Sequence, residues 1–188
     1  MSRVLVLFAS SHGQTRAIAG AIAARLRERG HVAEVADAGT GLAHLPPPED
    51  YDAAILGSRV EYGDHARSIL AYVARHRERL AAMPTAFFSV SMAASEPGPD
   101  PAGYLARFTA ATRWKPGRVI AIAGALRYTS YRLVTRVTMK LIAWRKHRPT
   151  DTSRDHVFTD WSVVTRFADD VVGDLRDVAT PLPVAPPS

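Results

Sequence analysis

The apolar run Val4-Leu5-Val6-Leu7-Phe8 breaks off into Ala9-Ser10-Ser11-His12-Gly13-Gln14-Thr15, and a helical pattern begins at Arg16. An unbroken apolar run followed at once by small and hydroxylated residues reads as a buried strand turning tightly into a helix. Such a turn leaves the first amides of the helix unpaired beside the positive end of its dipole, which favours a phosphate. Ser10, Ser11 and Thr15 add hydroxyl donors, and Gly13 lets the backbone curl without a Cβ clash. The segment therefore predicts a phosphate cradle, against the alternative of an ordinary strand–helix turn rich in small residues. It has neither the Gly-Lys-Ser/Thr ending of a nucleoside-triphosphate loop nor the three-glycine spacing of a dinucleotide fold.

In register, Val6, Leu7, Phe8, Ser10, Gly13 and Thr15, followed by Ala19 and Ile22, resemble the flavodoxin signature. The resemblance implies that Ser10, Ser11, His12, Gly13, Gln14 and Thr15 hold the 5′-phosphate of FMN through hydroxyls and amides, without a lysine.

At 188 residues the chain suits one α/β domain with a full core. No apolar run approaches the roughly 20 residues that span a bilayer, and the short apolar N-terminus reads as a strand and not as a signal peptide. The absence of cysteine excludes disulfides, thiol chemistry and cysteine-ligated metals, and the seven histidines show no ligand spacing, so no metal is expected. A cytoplasmic protein fits this composition, and the basic segment described below adds the alternative of a peripheral contact with the inner face of the membrane. The net charge of +6 is unusual for an electron-carrying flavodoxin, since that family is typically acidic.

Along the chain, a helix is expected over 16–29 with Gly30 as its cap, a second strand over 31–36, and a third over 53–57. Asp64 is read as the N-cap of a helix running to about residue 82, with strand four at 85–90. Asp100-Pro101 opens a helix to about 113, strand five spans 119–123, and a last helix spans 160–176. The domain is placed at 1–178, with an added basic segment over 127–156 and a Pro-rich, disordered tail over 179–188. Strands alternating with helices predict a doubly wound parallel sheet of flavodoxin-like order 2-1-3-4-5, with the ligand at the carboxyl ends of the strands.

Two further loops should share that site. In the segment 57–63, Ser58, Tyr62 and Gly63 are candidates, with Tyr62 stacking on or walling the flavin ring; the alternative is an aromatic packed on its own helix. Arg59 could meet an anionic flavin or a substrate carboxylate, or be an ordinary exposed arginine. In the segment that begins Ser89-Val90-Ser91-Met92, backbone donors would line the pyrimidine edge of the ring. This segment lacks the tyrosine that many flavodoxins stack there, which suits a site open to substrate.

The added segment carries Leu133, Val134, Val137, Leu141 and Trp144 in one helical sector and Arg132, Arg136, Lys140 and His147 in the other. A basic amphipathic helix over 131–148 is a candidate contact for anionic lipid; the alternative is a helix packed on the sheet. No interleaved aromatics or nucleic-acid module accompany the charge, so nucleic acid is not an expected partner.

The run Ile122-Ala123-Gly124-Ala125-Leu126-Arg127-Tyr128, together with Gly13-Gln14-Thr15-Arg16, Tyr62-Gly63, Met83-Pro84, Tyr131-Arg132, Lys140-Leu141-Ile142 and Thr159-Asp160-Trp161, resembles a narrower family. That family is the flavodoxin-type, menaquinone-dependent protoporphyrinogen IX dehydrogenases of bacterial haem synthesis. The resemblance covers residues 3 to about 172. It implies FMN as cofactor, oxidation of protoporphyrinogen IX to protoporphyrin IX, and menaquinone or another quinone as electron acceptor. Arg127 and Arg132 become the candidates for the substrate propionates. No His–carboxylate or nucleophile constellation stands out, so no general base is named, and oligomeric state stays open. The rival readings are an electron-transfer protein without porphyrinogen turnover and an NAD(P)H:quinone reductase on the same fold.

Overall fold

The computed structural model describes residues 1–91, 101–126 and 156–179. The expected helix over 131–148, the tail from residue 180, Met92, Arg127 and Arg132 lie outside the described residues.

β1 (Arg3–Ala9) is buried from Val4 onward because helices cover both faces of the sheet. Val4, Val6 and Phe8 face α1 (Gln14–Glu28) and α4 (Trp161–Ala179), where Ile18, Ile22, Leu26, Phe167 and Val171 complete one core. Leu5, Leu7 and Ala9 face the other way, toward α2 (Arg67–Ala81) and α3 (Pro101–Thr112), with Tyr72, Phe87, Phe108 and Trp114. This two-sided burial explains why β1 reads as a continuous apolar run and not as an alternation.

β1 pairs in parallel with β2 (Val32–Asp37) on one side and β3 (Ala53–Glu61) on the other, and β3 continues through β5 (Thr85–Ser91) to β6 (Arg118–Ala123). The order β2-β1-β3-β5-β6 is the expected one, counted over the five parallel strands. It reverses direction at β1, so a crevice forms above the carboxyl ends of β1 and β3.

Helix ends follow the sequence closely but not everywhere. α1 closes as a Schellman motif: the His31 amide donates to the Leu26 carbonyl at 3.1 Å and the Gly30 amide to Arg27 at 3.0 Å. It starts two residues before the periodic pattern does, because Gln14 and Thr15 are helical although polar. Asp64 does not cap α2. It lies in β4 (Asp64–His65), which pairs antiparallel with the end of β3, and α2 starts from Ala66 with no side-chain cap. The expected loops at 57–63 and 89–91 are therefore largely strand, with only Tyr62 and Gly63 forming the turn between β3 and β4.

The chain leaves the sheet through β7 (Ala125–Leu126) and returns through β8 (His156–Val157), which pair antiparallel. On the opposite end of the domain, Arg25 and Arg29 both reach Asp169 at 2.9 Å, tying α1 to α4 and holding the Asp169 carboxyl down at about 2.

Gly57 in β3 sits under the fully buried ring of Phe88 in β5. A Cβ placed there would lie 1.9 Å from the ring. Gly57→Ala should thus destabilise the fold by about 1–3 kcal/mol through overpacking, read as a lowered urea midpoint with an unchanged m-value.

Candidate functional site

Register sets the site. Ala9, Ser58, Ser89 and Ala121 form one row across β1, β3, β5 and β6 at the carboxyl edge of the sheet. The loop 10–13 leaves that edge and enters α1 through Gly13, whose φ of 86° is left-handed. Any other residue there would bring its Cβ against the following carbonyl. The Ser10 hydroxyl accepts the Gly13 amide at 3.0 Å and closes the turn.

The start of α1 is built to receive an anion. It has no side-chain cap and no acidic residue in its first turn. Thr15, only 2% exposed, makes no protein hydrogen bond with its hydroxyl among the described residues. Arg16, the nearest cation on the helix, is drawn aside to Asp37 at 2.7 Å and lies over the Phe8 ring. The donors are therefore neutral hydroxyls and amides with the helix dipole behind them, and the cradle fits a phosphate.

The other residues singled out from the sequence divide by what their side chains do. Ser11 is exposed and donates to Glu61 at 3.3 Å, joining the loop to β3. His12 and Gly13 are half-buried on the turn. Gln14 turns inward: its amide donates to the Thr159 hydroxyl at 2.8 Å, and that hydroxyl donates to the Ala123 carbonyl at 2.6 Å. Ser58 is fully buried; it donates to the Arg59 carbonyl and accepts the Ala66 amide at 2.9 Å. Val90 packs in the α1/α4 core, and the Ser91 carbonyl accepts the Gly124 amide at 3.0 Å.

Tyr62 is 99% exposed and stands at the tip of the β3–β4 hairpin. Its φ is 53° and that of Gly63 is 90°, the paired left-handed residues that a tight two-residue hairpin requires. An aromatic side chain in this conformation stores strain, which marks the turn as fixed by its surroundings.

Beneath the tip lies His65, 6% exposed, which sequence reading passed over as one of seven scattered histidines. Its Nε2 is 3.0 Å from the Ser89 hydroxyl, and its ring meets those of Phe87 and Phe108 at 5.3 and 5.0 Å. Desolvation pushes the imidazole from 6.5 down to about 4; Arg107 adds to the shift and Asp64 opposes it. The hairpin, with Gly39 and the first turn of α2, encloses a cavity of about 560 Å³ that includes Ser10, Arg59, Tyr62, His65 and Arg67 in its walls. This cavity adjoins the phosphate cradle at Ser10. Among the described residues no cluster of His, Asp and Glu could hold a metal ion.

The uncapped start of α1 and the Tyr62-tipped hairpin thus lie side by side at one edge of the sheet. The flavodoxin domain model matches residues 5–153, most of the chain. The chain belongs to the flavodoxin-domain family. A relative from Escherichia coli (strain K12), named protoporphyrinogen IX dehydrogenase (quinone), is 37% identical over 172 residues, covering 90% of this chain and 94% of the relative. A relative of the same name from Leishmania major is 33% identical over 188 residues, covering 98% of this chain and 78% of the relative. The chain belongs with these dehydrogenases within the wider family. The fold is also that of a Fusobacterium nucleatum flavodoxin solved with flavin mononucleotide, at a TM-score of 0.53 and 11% identity, covering 95% of this chain and 99% of that one.

The buried His65 gives stability a pH dependence of definite sign. Above 6.5 the imidazole is neutral in folded and unfolded chains alike, whereas between 6.5 and about 4 only the unfolded chain takes up the proton. Stability from this group therefore falls as pH drops through that window, by up to about 3 kcal/mol. Urea unfolding at pH 7, 5.5 and 4.5 should show a steeper loss in the wild type than in His65→Gln, which keeps an amide for Ser89 and removes the titration.

Proposed function

We propose that this chain is an FMN-dependent dehydrogenase that oxidises protoporphyrinogen IX to protoporphyrin IX and passes the electrons to a quinone. The observation that carries the reading is 37% identity to the Escherichia coli relative over nearly the full length of both chains. The open, lysine-free cradle at the start of α1 and the hairpin wall beside it support FMN as the cofactor. FMN, when bound, supplies the two-electron chemistry between substrate and quinone.

The chain's own residues bind and orient. The Ser10, Ser11 and Thr15 hydroxyls and the first-turn amides of α1 hold the phosphate, and the Gly13 turn sets their direction. Gln14 fixes that turn to Thr159 and the end of β6. Tyr62 walls the ring, and the backbone from Ser89 to Met92 lies along its polar edge. Arg127 and Arg132 meet the propionates of the substrate. Converting the porphyrinogen to the porphyrin removes six electrons and six protons, so about three quinones are reduced to quinols per turnover. A net charge of +6 suits both a dicarboxylate substrate and the anionic bilayer in which a quinone resides. Residues 131–148 make the peripheral membrane contact from the cytoplasmic side. Among the described residues no helix is long and apolar enough to cross a membrane.

Anaerobic oxidation of protoporphyrinogen by the FMN-loaded protein, followed by porphyrin fluorescence with and without a menaquinone analogue, tests the reading. Quinone-dependent turnover is expected; bound FMN with no turnover would overturn the substrate assignment and leave an electron carrier or another flavin reductase. Replacing Arg127 and Arg132 together by Ala should raise KM for the porphyrinogen about tenfold, in line with the loss of charged hydrogen bonds, while FMN affinity holds. Gly13→Ala should weaken FMN binding about tenfold, since the left-handed conformation costs a side chain about 1–2 kcal/mol.

A further inference from the structure

The hairpin tip that carries Tyr62 is held from outside the hairpin, and α3 does the holding. Two consecutive residues of that helix reach the hairpin, one at His65 and one at the tip. Phe108 packs its ring on His65 at 5.0 Å, and Arg107 donates from its terminal nitrogen to the Gly63 carbonyl at 2.6 Å. The Arg107 guanidinium also lies 5.1 Å over the Tyr104 ring and 3.9 Å from the Asp64 carboxylate. It is thus oriented by two further groups, a ring and a carboxylate, around one backbone carbonyl. The same nitrogen lies against the turn: a Cβ on Gly63 would meet it at 3.4 Å, an ordinary van der Waals contact.

At the base of the hairpin, the Ser58 hydroxyl accepts the Ala66 amide and His65 meets Ser89 of β5. These buried bonds fix where the hairpin starts, but they do not reach its tip. The turn residues Tyr62 and Gly63 both hold positive φ, and Tyr62 has almost no contact of its own, being 99% exposed. Among the described residues, only Arg107 makes a side-chain hydrogen bond to the turn.

We propose that Arg107 is a positioning residue for the cofactor ring: by latching the Gly63 carbonyl to α3 it fixes the turn from which Tyr62 projects as the wall of the ring site. This rests on the FMN reading above. A turn held in place before binding spares the cost of ordering its backbone when the ring arrives. The latch acts only through Tyr62, and this distinguishes it from a bond that merely stabilises the fold.

The test is a double-mutant cycle read by FMN affinity. Apo protein of the full chain is titrated into free FMN, and Kd is taken from the quenching of flavin fluorescence for wild type, Arg107→Ala, Tyr62→Ala and the double variant. Arg107→Ala should raise Kd about three- to tenfold, in the range of one charge-assisted hydrogen bond lost at an exposed site. Its melting temperature should stay within about 2 °C of wild type, because the side chain is exposed. In the Tyr62→Ala background the same substitution should change Kd less than about twofold, the signature of residues acting as one unit. Arg107→Lys, which keeps one donor and the charge, should recover part of the affinity. Equal Kd for wild type and Arg107→Ala, or effects that add in the double variant, would overturn the proposal. Failure of the wild type itself to bind FMN would instead overturn the cofactor reading.

Discussion

Burial of β1 on both faces leaves its chain one exit, upward through the carboxyl edge of the sheet, and every donor at the site descends from that constraint. A strand packed between α1 and α4 on one side and α2 and α3 on the other has no solvent face on which to turn. The chain must reverse within a few residues and re-enter as a helix, so Gly13 takes a left-handed conformation and the first amides of α1 are left facing the crevice. The parallel register then sets β3 and β5 level with that turn, since Ala9, Ser58 and Ser89 share a row. Phosphate cradle, hairpin and β5 end are neighbours because one sheet edge holds them all.

The strand–turn–helix was legible because its signals are local: a run of apolar residues, hydroxyls, one glycine, then helical period. Five parallel strands and their order were legible for the same reason, each element carrying its own pattern and the connections following from α/β alternation. The hairpin was not. Tyr62-Gly63 is not one of the pairs that announce a two-residue turn, and Asp64 mimics a helix cap so well that the short β4 is hidden behind it. Strand ends were likewise read short at Gly57 and Val90, where polar residues such as Ser58, Arg59, Glu61 and Ser91 continue the ladder.

Side chains whose role depends on partners far along the chain were the least legible. Gln14 looked like part of the phosphate loop, yet its amide serves Thr159, 145 residues on. His65 gave no sign of its burial, because the groups that bury it come from β5 and α3. Ser58 and Ser89 were singled out as polar residues near a ligand, and their hydroxyls are engaged with Ala66 and His65. Sequence pattern reports which face a residue takes; it does not report which distant group arrives to meet it.

The antiparallel pair Ala125–Leu126 with His156–Val157 has a consequence for how the molecule is assembled from parts. Paired residues in such a ladder are about 5 Å apart, so the chain departs and returns at nearly one point. The backbone bond from Phe158 to Gly124 and the Thr159 hydroxyl on Ala123 seal that point from below. The closure ties the two ends of the intervening stretch to each other, so that a change in its length is taken up across a hairpin and not along the parallel ladder of the sheet. A domain built this way can acquire or change a specificity by transplanting one continuous stretch of chain, while the cradle and its supporting core stay as they are.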